Sequence, residues 1–165
     1  MPFSPLPKII TDKITDITPE LLQSRGITLL MMDFDNTIVP YHVNDPEPEI
    51  LHWFDTMRQA GITLCIVSNT KKPRLPAFSE KYGMEYILHA RKPFTPGIRE
   101  CLARYGVKPE NAALVGDQIY TDTLGANAAG VTSILVKAIN NHNFWLKARH
   151  VLEKPFIYAA RNRRI

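Results

Sequence analysis

Cysteine is nearly absent from this sequence: Cys65 and Cys101 are its two thiols in 165 residues, and they stand in unrelated contexts. A disulfide framework is thereby excluded, and the apolar neighbours of both describe buried thiols in a reducing compartment. Long apolar runs are missing too. None approaches the roughly 20 residues needed to span a bilayer, and "MPFSPLPKIITDKITD" lacks the basic start and apolar core of a signal peptide. No repeat, low-complexity segment or long linker interrupts the chain. The five histidines have neither metal-ligand spacing nor a triad partner, so they read as surface or structural residues. These absences leave a cytoplasmic protein of one domain over residues 1–165, large enough to bury its own core.

What the chain does have is charge, unevenly spread. From Lys137 onward seven basic residues stand against one acid, Glu153; that is a net +6, leaving −2 on the rest of a chain whose total is +4. A basic tail on a mildly acidic body suits anions: a membrane surface, a nucleic acid or phosphorylated ligands. Residues 138–165 read as a helical tail of the same domain, mixing Phe144, Trp145, Leu146, Phe156, Ile157 and Tyr158 with Lys and Arg. Two readings of that tail stand. It packs its aromatics on the body with its cations in water, or it lays aromatics and cations on an anionic bilayer.

Elsewhere, short apolar runs alternate with helical spacings. "ITLLMMDF" (27–34), "ITLCIVSN" (62–69), "EYILHA" (85–90), "AALVGD" (112–117) and "SILVK" (133–137) read as strands. Helical patterns fall at 48–61, 73–83, 95–106 and 121–130, the third with Thr95 as N-cap and Pro96 at the first helical position. Such alternation predicts an α/β fold: a three-layer α/β/α sandwich around a central parallel five-stranded sheet. Ligands of such sheets sit beyond the carboxyl ends of the strands. Asp33 and Asp35 follow the first run, Ser68 and Asn69 end the second, Lys92 lies past the third, and Asp117 ends the fourth. Period-two alternation puts Asp33 and Asp35 on one side of an extended backbone.

Asp33, Asp117 and Asp122 converging at one strand edge would make a hard oxygen site suited to Mg²⁺. One carboxylate can attack phosphorus, and Asp35 can protonate the leaving oxygen and then activate water. Ser68 and Lys92 would meet the remaining phosphoryl oxygens. The blander readings are turn caps for Asp33 and Asp35 and a helix cap for Thr121 or Asp122.

The segments "DFDNT" (33–37), "VSN" (67–69), "RKP" (91–93) and "GDQIYTD" (116–122) resemble, in order, the four motifs of the haloacid dehalogenase-like (HAD) phosphatases. The wording of "DNT", "KP", "VGDQ", "TD" and "GAN" is similar to the YqeG branch, type IIIA, which is related to phosphatidylglycerophosphate phosphatases. The resemblance implies a Rossmann-like HAD core with Asp33 as nucleophile and Asp35 as general acid and base. Ser68, Asn69 and Lys92 would hold the phosphoryl group. Mg²⁺ would bind Asp33, Asp117 and the main-chain carbonyl of Asp35, with Asp122 in support, directly or through water. Relatives often carry a cap domain, yet the spans between motifs are each used up by a helix and a strand, so none is expected here. An open site suits a large or membrane-embedded substrate, or cover by a partner subunit of a homo-oligomer. Tyr41 and His42, in the loop at 38–49, stand where they could touch a leaving group, and a plain connector is the competing reading. The expected activity is phosphate monoester hydrolysis, with phosphatidylglycerophosphate set against a soluble sugar phosphate or nucleotide. A module that binds RNA or the ribosome through its tail is the remaining alternative, though no nucleic-acid motif is visible.

Overall fold

Four consecutive apolar residues, Leu29–Met32, form strand β2, and all four are buried. A strand without polar alternation needs cover on both faces, and this one lies inside a parallel sheet. A computed structural model describes residues 4–139 and 144–162. Its sheet has six strands, not the expected five: β1 (Ile9–Ile10), β2, β3 (Thr63–Val67), β4 (Glu85–Ile87), β5 (Ala112–Gly116) and β6 (Thr132–Leu135), ordered β1-β6-β5-β2-β3-β4. The additional strand is a two-residue edge that pairs Ile9 with Ile134 and Ile10 with Leu135. Two residues are too few to display a period of two, which is why the sequence pattern conceals it.

Helices α1 (Pro19–Gln23), α2 (Pro48–Gln59), α3 (Arg74–Tyr82), α4 (Pro96–Tyr105), α5 (Leu124–Ala129) and α6 (Phe144–Arg161) fill the connections. Alternation along β2 divides the core. Leu30 and Met32 join Ile50, Trp53, Phe54 and Met57 of α2 and Phe78 of α3, whereas Leu29 and Met31 join Ile98 and Cys101 of α4. Each such side chain contributes about 1.5–3 kcal/mol by leaving water, so the two layers fix which way every strand end points. Cys65 and Cys101 are free, buried thiols in the second layer. Pro48 opens α2, where its missing N–H costs nothing. Thr95 occupies the N-cap position of α4, but its hydroxyl makes no capping bond there.

The tail forms α6, with Pro155 inside it. Glu153 is buried and accepts the Ile119 N–H at 2.9 Å, and Phe156 stands edge-on to Tyr120 with ring centres 6.4 Å apart. One face of α6 therefore packs on the body, while Val151, Leu152 and Tyr158 stay exposed. The side chains of Phe144, Trp145, Leu146, Lys147 and Arg149, and all of Arg163 and Arg164, lie outside the described residues. No described helix is long and apolar enough to cross a membrane.

Candidate active site

Strands β3, β2 and β5 are adjacent and parallel, so the residues that follow them share one edge. Asp33 continues β2, its N–H donating to the Val115 carbonyl at 2.9 Å. The chain then turns at Asn36, whose φ of 61° is a left-handed conformation that asparagine tolerates. Thr37, buried by this turn, donates its hydroxyl to Asp117 Oδ1 at 3.3 Å. After Asp117 the backbone makes a wide π turn over Ile119–Thr123, which brings Asp122 back against the end of β5. Gly116 makes room for it: a Cβ there would lie 2.2 Å from Asp122 Oδ2. The sequence reading quoted Gly116 without giving it a role. Its signal was a glycine ending a strand, where close approach by another group is the usual reason.

Lys92 joins the acids. Its buried ammonium donates to Asp33 Oδ1 at 2.9 Å and to Asp122 Oδ1 at 2.7 Å. The main chain of Lys92 is gripped by Asn69, which donates Nδ2–H to its carbonyl and accepts its N–H, both at 2.8 Å. Expected on phosphate, the Asn69 side chain is instead engaged in holding the lysine, because a primary amide matches a backbone N–H and C=O together. Ser68 is buried beside it, its hydroxyl accepting the Thr70 N–H at 3.2 Å. His89 and Arg91, with φ of 51° and 59°, bracket the approach to Lys92. Non-glycine residues in that region cost on the order of 1 kcal/mol each and gather at functional sites.

Oxygens of Asp33, Asp117 and Asp122 all lie within 4.8 Å of one another. Burial raises Asp117 well above the carboxylate range, and the charges of Asp33 and Asp122 push the same way. Burial likewise lifts Asp122 to about 7, although Lys92 pulls it back. Burial would discharge Lys92, yet Asp122 and Asp33 outweigh it and hold the ammonium well above the ordinary lysine value. Asp117 Oδ2 is buried without a hydrogen-bond partner among the described residues. A carboxylate oxygen left so is costly unless a proton or cation takes it. Three oxygen donors around that atom fit a hard divalent cation such as Mg²⁺.

Asp35 stands apart from this knot. It is raised by partial burial, lowered by Arg74 and raised again by Asp33. Arg74 Nη1 donates to Asp35 Oδ1 at 2.7 Å. Nothing in the sequence reading singled out Arg74. One signal was there: a cation at the first residue of a helix faces the positive end of its dipole. Tyr41 and His42 are exposed, with Lys72 Nζ 3.7 Å from the centre of the Tyr41 ring.

Known proteins resemble this chain in sequence and in fold. The profile of the HAD-hydrolase-like family matches residues 89–153. The YqeG protein of Bacillus subtilis (strain 168), named a probable phosphatase, is 32% identical over 159 residues, covering 96% of this chain and 92% of its own. The mitochondrial phosphatidylglycerophosphatase GEP4 of Saccharomyces cerevisiae is 25% identical over 146 residues, covering 79% of this chain and 77% of its own. Among solved structures, the cobalt-bound deoxy-D-mannose-octulosonate 8-phosphate phosphatase YrbI of Haemophilus influenzae superposes with a TM-score of 0.54 at 16% identity. It covers 78% of this chain and 89% of its own, a likeness of fold.

Proposed function

The chain belongs to the haloacid dehalogenase-like hydrolases and, within them, to the YqeG family, and from that membership we propose that it hydrolyses phosphate monoesters with Mg²⁺ through an aspartyl phosphate on Asp33. The observation that carries this reading is the knot of Asp33, Asp117, Asp122 and Lys92 at the carboxyl edge of the sheet, with a separately held acid, Asp35, beside it. A carboxylate oxygen of Asp33 attacks phosphorus in line with the ester oxygen. The new P–O bond forms as the old one breaks, and the Asp35 carboxyl gives its proton to the departing oxygen. Asp35, now a carboxylate, then takes a proton from the water that attacks the same phosphorus. Inorganic phosphate leaves and the Asp33 carboxylate is restored. Lys92 and Ser68 face the phosphoryl oxygens, while Asn69 keeps Lys92 in register. Asp33, Asp117 and the Asp35 carbonyl, with Asp122 in support, would hold Mg²⁺, which would supply positive charge against the phosphoryl oxygens. Phosphate release in Mg²⁺ measures this directly. Asp33→Asn should lower it by at least about a thousandfold, and full release by that variant overturns the reading.

Within phosphatases, we infer a substrate whose alcohol is a lipid, phosphatidylglycerophosphate being the one that the GEP4 relative's name points to. The supporting observation is the rim. Of the exposed large apolar side chains among the described residues, Tyr41, Val43, Phe94, Tyr120 and Ile139 all belong to segments around this edge. Phe94 follows Lys92 by two residues and is 73% exposed, and Ile139 donates its N–H to the Asn36 carbonyl. Lys71 and Arg91 add exposed cations to that side, and α6 adds Val151, Leu152, Tyr158 and Lys154. Apolar and cationic groups together suit an anionic bilayer surface. Phosphatidylglycerophosphate in vesicles, compared with soluble sugar phosphates and nucleotides, tests it: preference for the soluble esters discards the lipid. An RNA-binding module is the reading least supported, since binding alone has no use for a buried lysine locked between two carboxylates.

A further inference from the structure

Arg74 is the first residue of α3, where the helix dipole opposes its charge, and its side chain is only 13% exposed. A guanidinium kept out of water in that place must be held by strong partners. It has four. Nη1 donates to Asp35 Oδ1 at 2.7 Å and to the Tyr41 carbonyl; Nη2 donates to the Pro40 carbonyl at 3.1 Å and to the Val43 carbonyl. Its carbon centre lies 5.0 Å from the centre of the Phe34 ring, within cation–π reach. One side chain from the β3 side thus spans to the β2 side and gathers the loop at 40–43 together with a catalytic carboxylate.

Three neutral carbonyls would suffice to staple that loop. The fourth partner is the one that calls for explanation, since it is the acid beside the nucleophile. Oδ1 of Asp35 is taken by Arg74, and no described residue hydrogen-bonds Oδ2. Accordingly we propose that Arg74 is a positioning residue for proton transfer: it fixes the Asp35 carboxyl with Oδ2 left for the leaving oxygen, and it ties that orientation to the loop at 40–43. The proposal rests on the phosphatase reading above. Lysine could replace the charge but not the planar fork that reaches three loop carbonyls and a carboxylate at once.

The consequence is a dependence on the leaving group. A nitrophenolate departs without a proton, whereas the alkoxide of glycerol 3-phosphate needs one. The experiment measures kcat and KM for p-nitrophenyl phosphate and glycerol 3-phosphate in wild type, Arg74→Met, Arg74→Lys, Asp35→Asn and the Arg74→Met/Asp35→Asn double variant. Arg74→Met should depress kcat/KM, which reports the step that expels the leaving group, at least about tenfold more on glycerol 3-phosphate than on p-nitrophenyl phosphate. Arg74→Lys should fall between it and wild type. Adding Arg74→Met to Asp35→Asn should not widen the contrast further, because both act through one group. Equal losses on the two esters overturn the proposal, as does a contrast that survives undiminished on top of Asp35→Asn. Should Arg74→Met fail to fold, Arg74→Lys is judged by the same contrast. Lack of any Asp33-dependent release from either ester defeats the phosphatase reading itself, an outcome distinct from release with an unchanged ratio.

Discussion

Asp33 and Asp35 lie two residues apart, yet they are held by opposite means. Asp33 belongs to an inner half built from strand ends, where Lys92, Asp117 and Asp122 are buried and compensate one another. Asp35 belongs to an outer half, more open to water, where the partner is a helix-borne arginine and the neighbours are loop carbonyls. The inner half stores charge against a scaffold that cannot give way. Its acids are reluctant to ionise together, which is the condition under which a divalent cation is retained. The outer half is held by a single long side chain, Arg74, rather than by strand ends, and its rim is apolar. On the phosphatase reading the difference divides the work, with phosphorus and metal handled among buried, mutually compensating groups and the leaving group beside the arginine-held acid.

The strongest attack on the inner half is Lys92→Met. It leaves buried acids without their cation, and breaking such a pair costs about 3–5 kcal/mol. Thermal unfolding in the absence of metal should show that loss, with saturating Mg²⁺ recovering part of it. An unchanged Tm would mean that the knot does not hold itself together. Gly116→Ala is subtler. The added methyl occupies the place of the Asp122 carboxylate, so Mg²⁺ affinity by calorimetry should fall about 10–100-fold, as when a supporting residue of a metal site is displaced.

Proton linkage sharpens the same contrast. Asp122 is lifted from 3.8 to about 7 and Asp117 well above 3.8. Between those values the metal-free folded protein holds more protons than the unfolded chain. The part of the stability that these two groups contribute is therefore fully present below about pH 4 and is lost as the pH rises through about 7. Mg²⁺ binds the ionised form, so the rise in Tm that it produces should be larger at pH 8 than at pH 6. A rise that shrinks with pH would contradict the burial of these acids as the cause. The smallest effect belongs to the outer half. Phe94→Ser should move stability by no more than about 0.5 kcal/mol, while lowering turnover of the vesicle-borne lipid by a larger factor than turnover of a soluble ester. Parallel losses would deny the rim its part in recognition.

How much of this could be read in the chain follows the same division. Asp33 and Asp117 were legible because each sits just past a strand end, and strand ends announce themselves by apolar runs; Asp122 stayed open between ligand and helix cap, because only the turn over Ile119–Thr123 carries it back to that edge. Lys92 was legible by its place in the same series. Arg74 was not, since its role arises where α3 meets the loop at 40–43, and no local pattern encodes that meeting. Asn69 was placed at the right edge but aimed at phosphate, because an amide's partner is set by a tertiary contact with Lys92. The edge strand Ile9–Ile10 escaped because it exists only through its pairing with β6. Gly116 was visible as a residue and silent as a reason.

The order of strands carries one more consequence, in time rather than in space. Asp33 and Asp117 become neighbours only when β5 docks beside β2, Leu29 opposite Ala112, across roughly eighty residues of chain. A polypeptide emerging from its N-terminus can pair β2, β3 and β4 first, which assembles Asp33, Ser68, Asn69 and Lys92 before the second pair of acids has been made. The three acids thus come together only after that first half of the edge is built. A divalent cation held by these acids would act as a latch on that docking, slowing the departure of β5 and leaving the earlier pairings at their own pace.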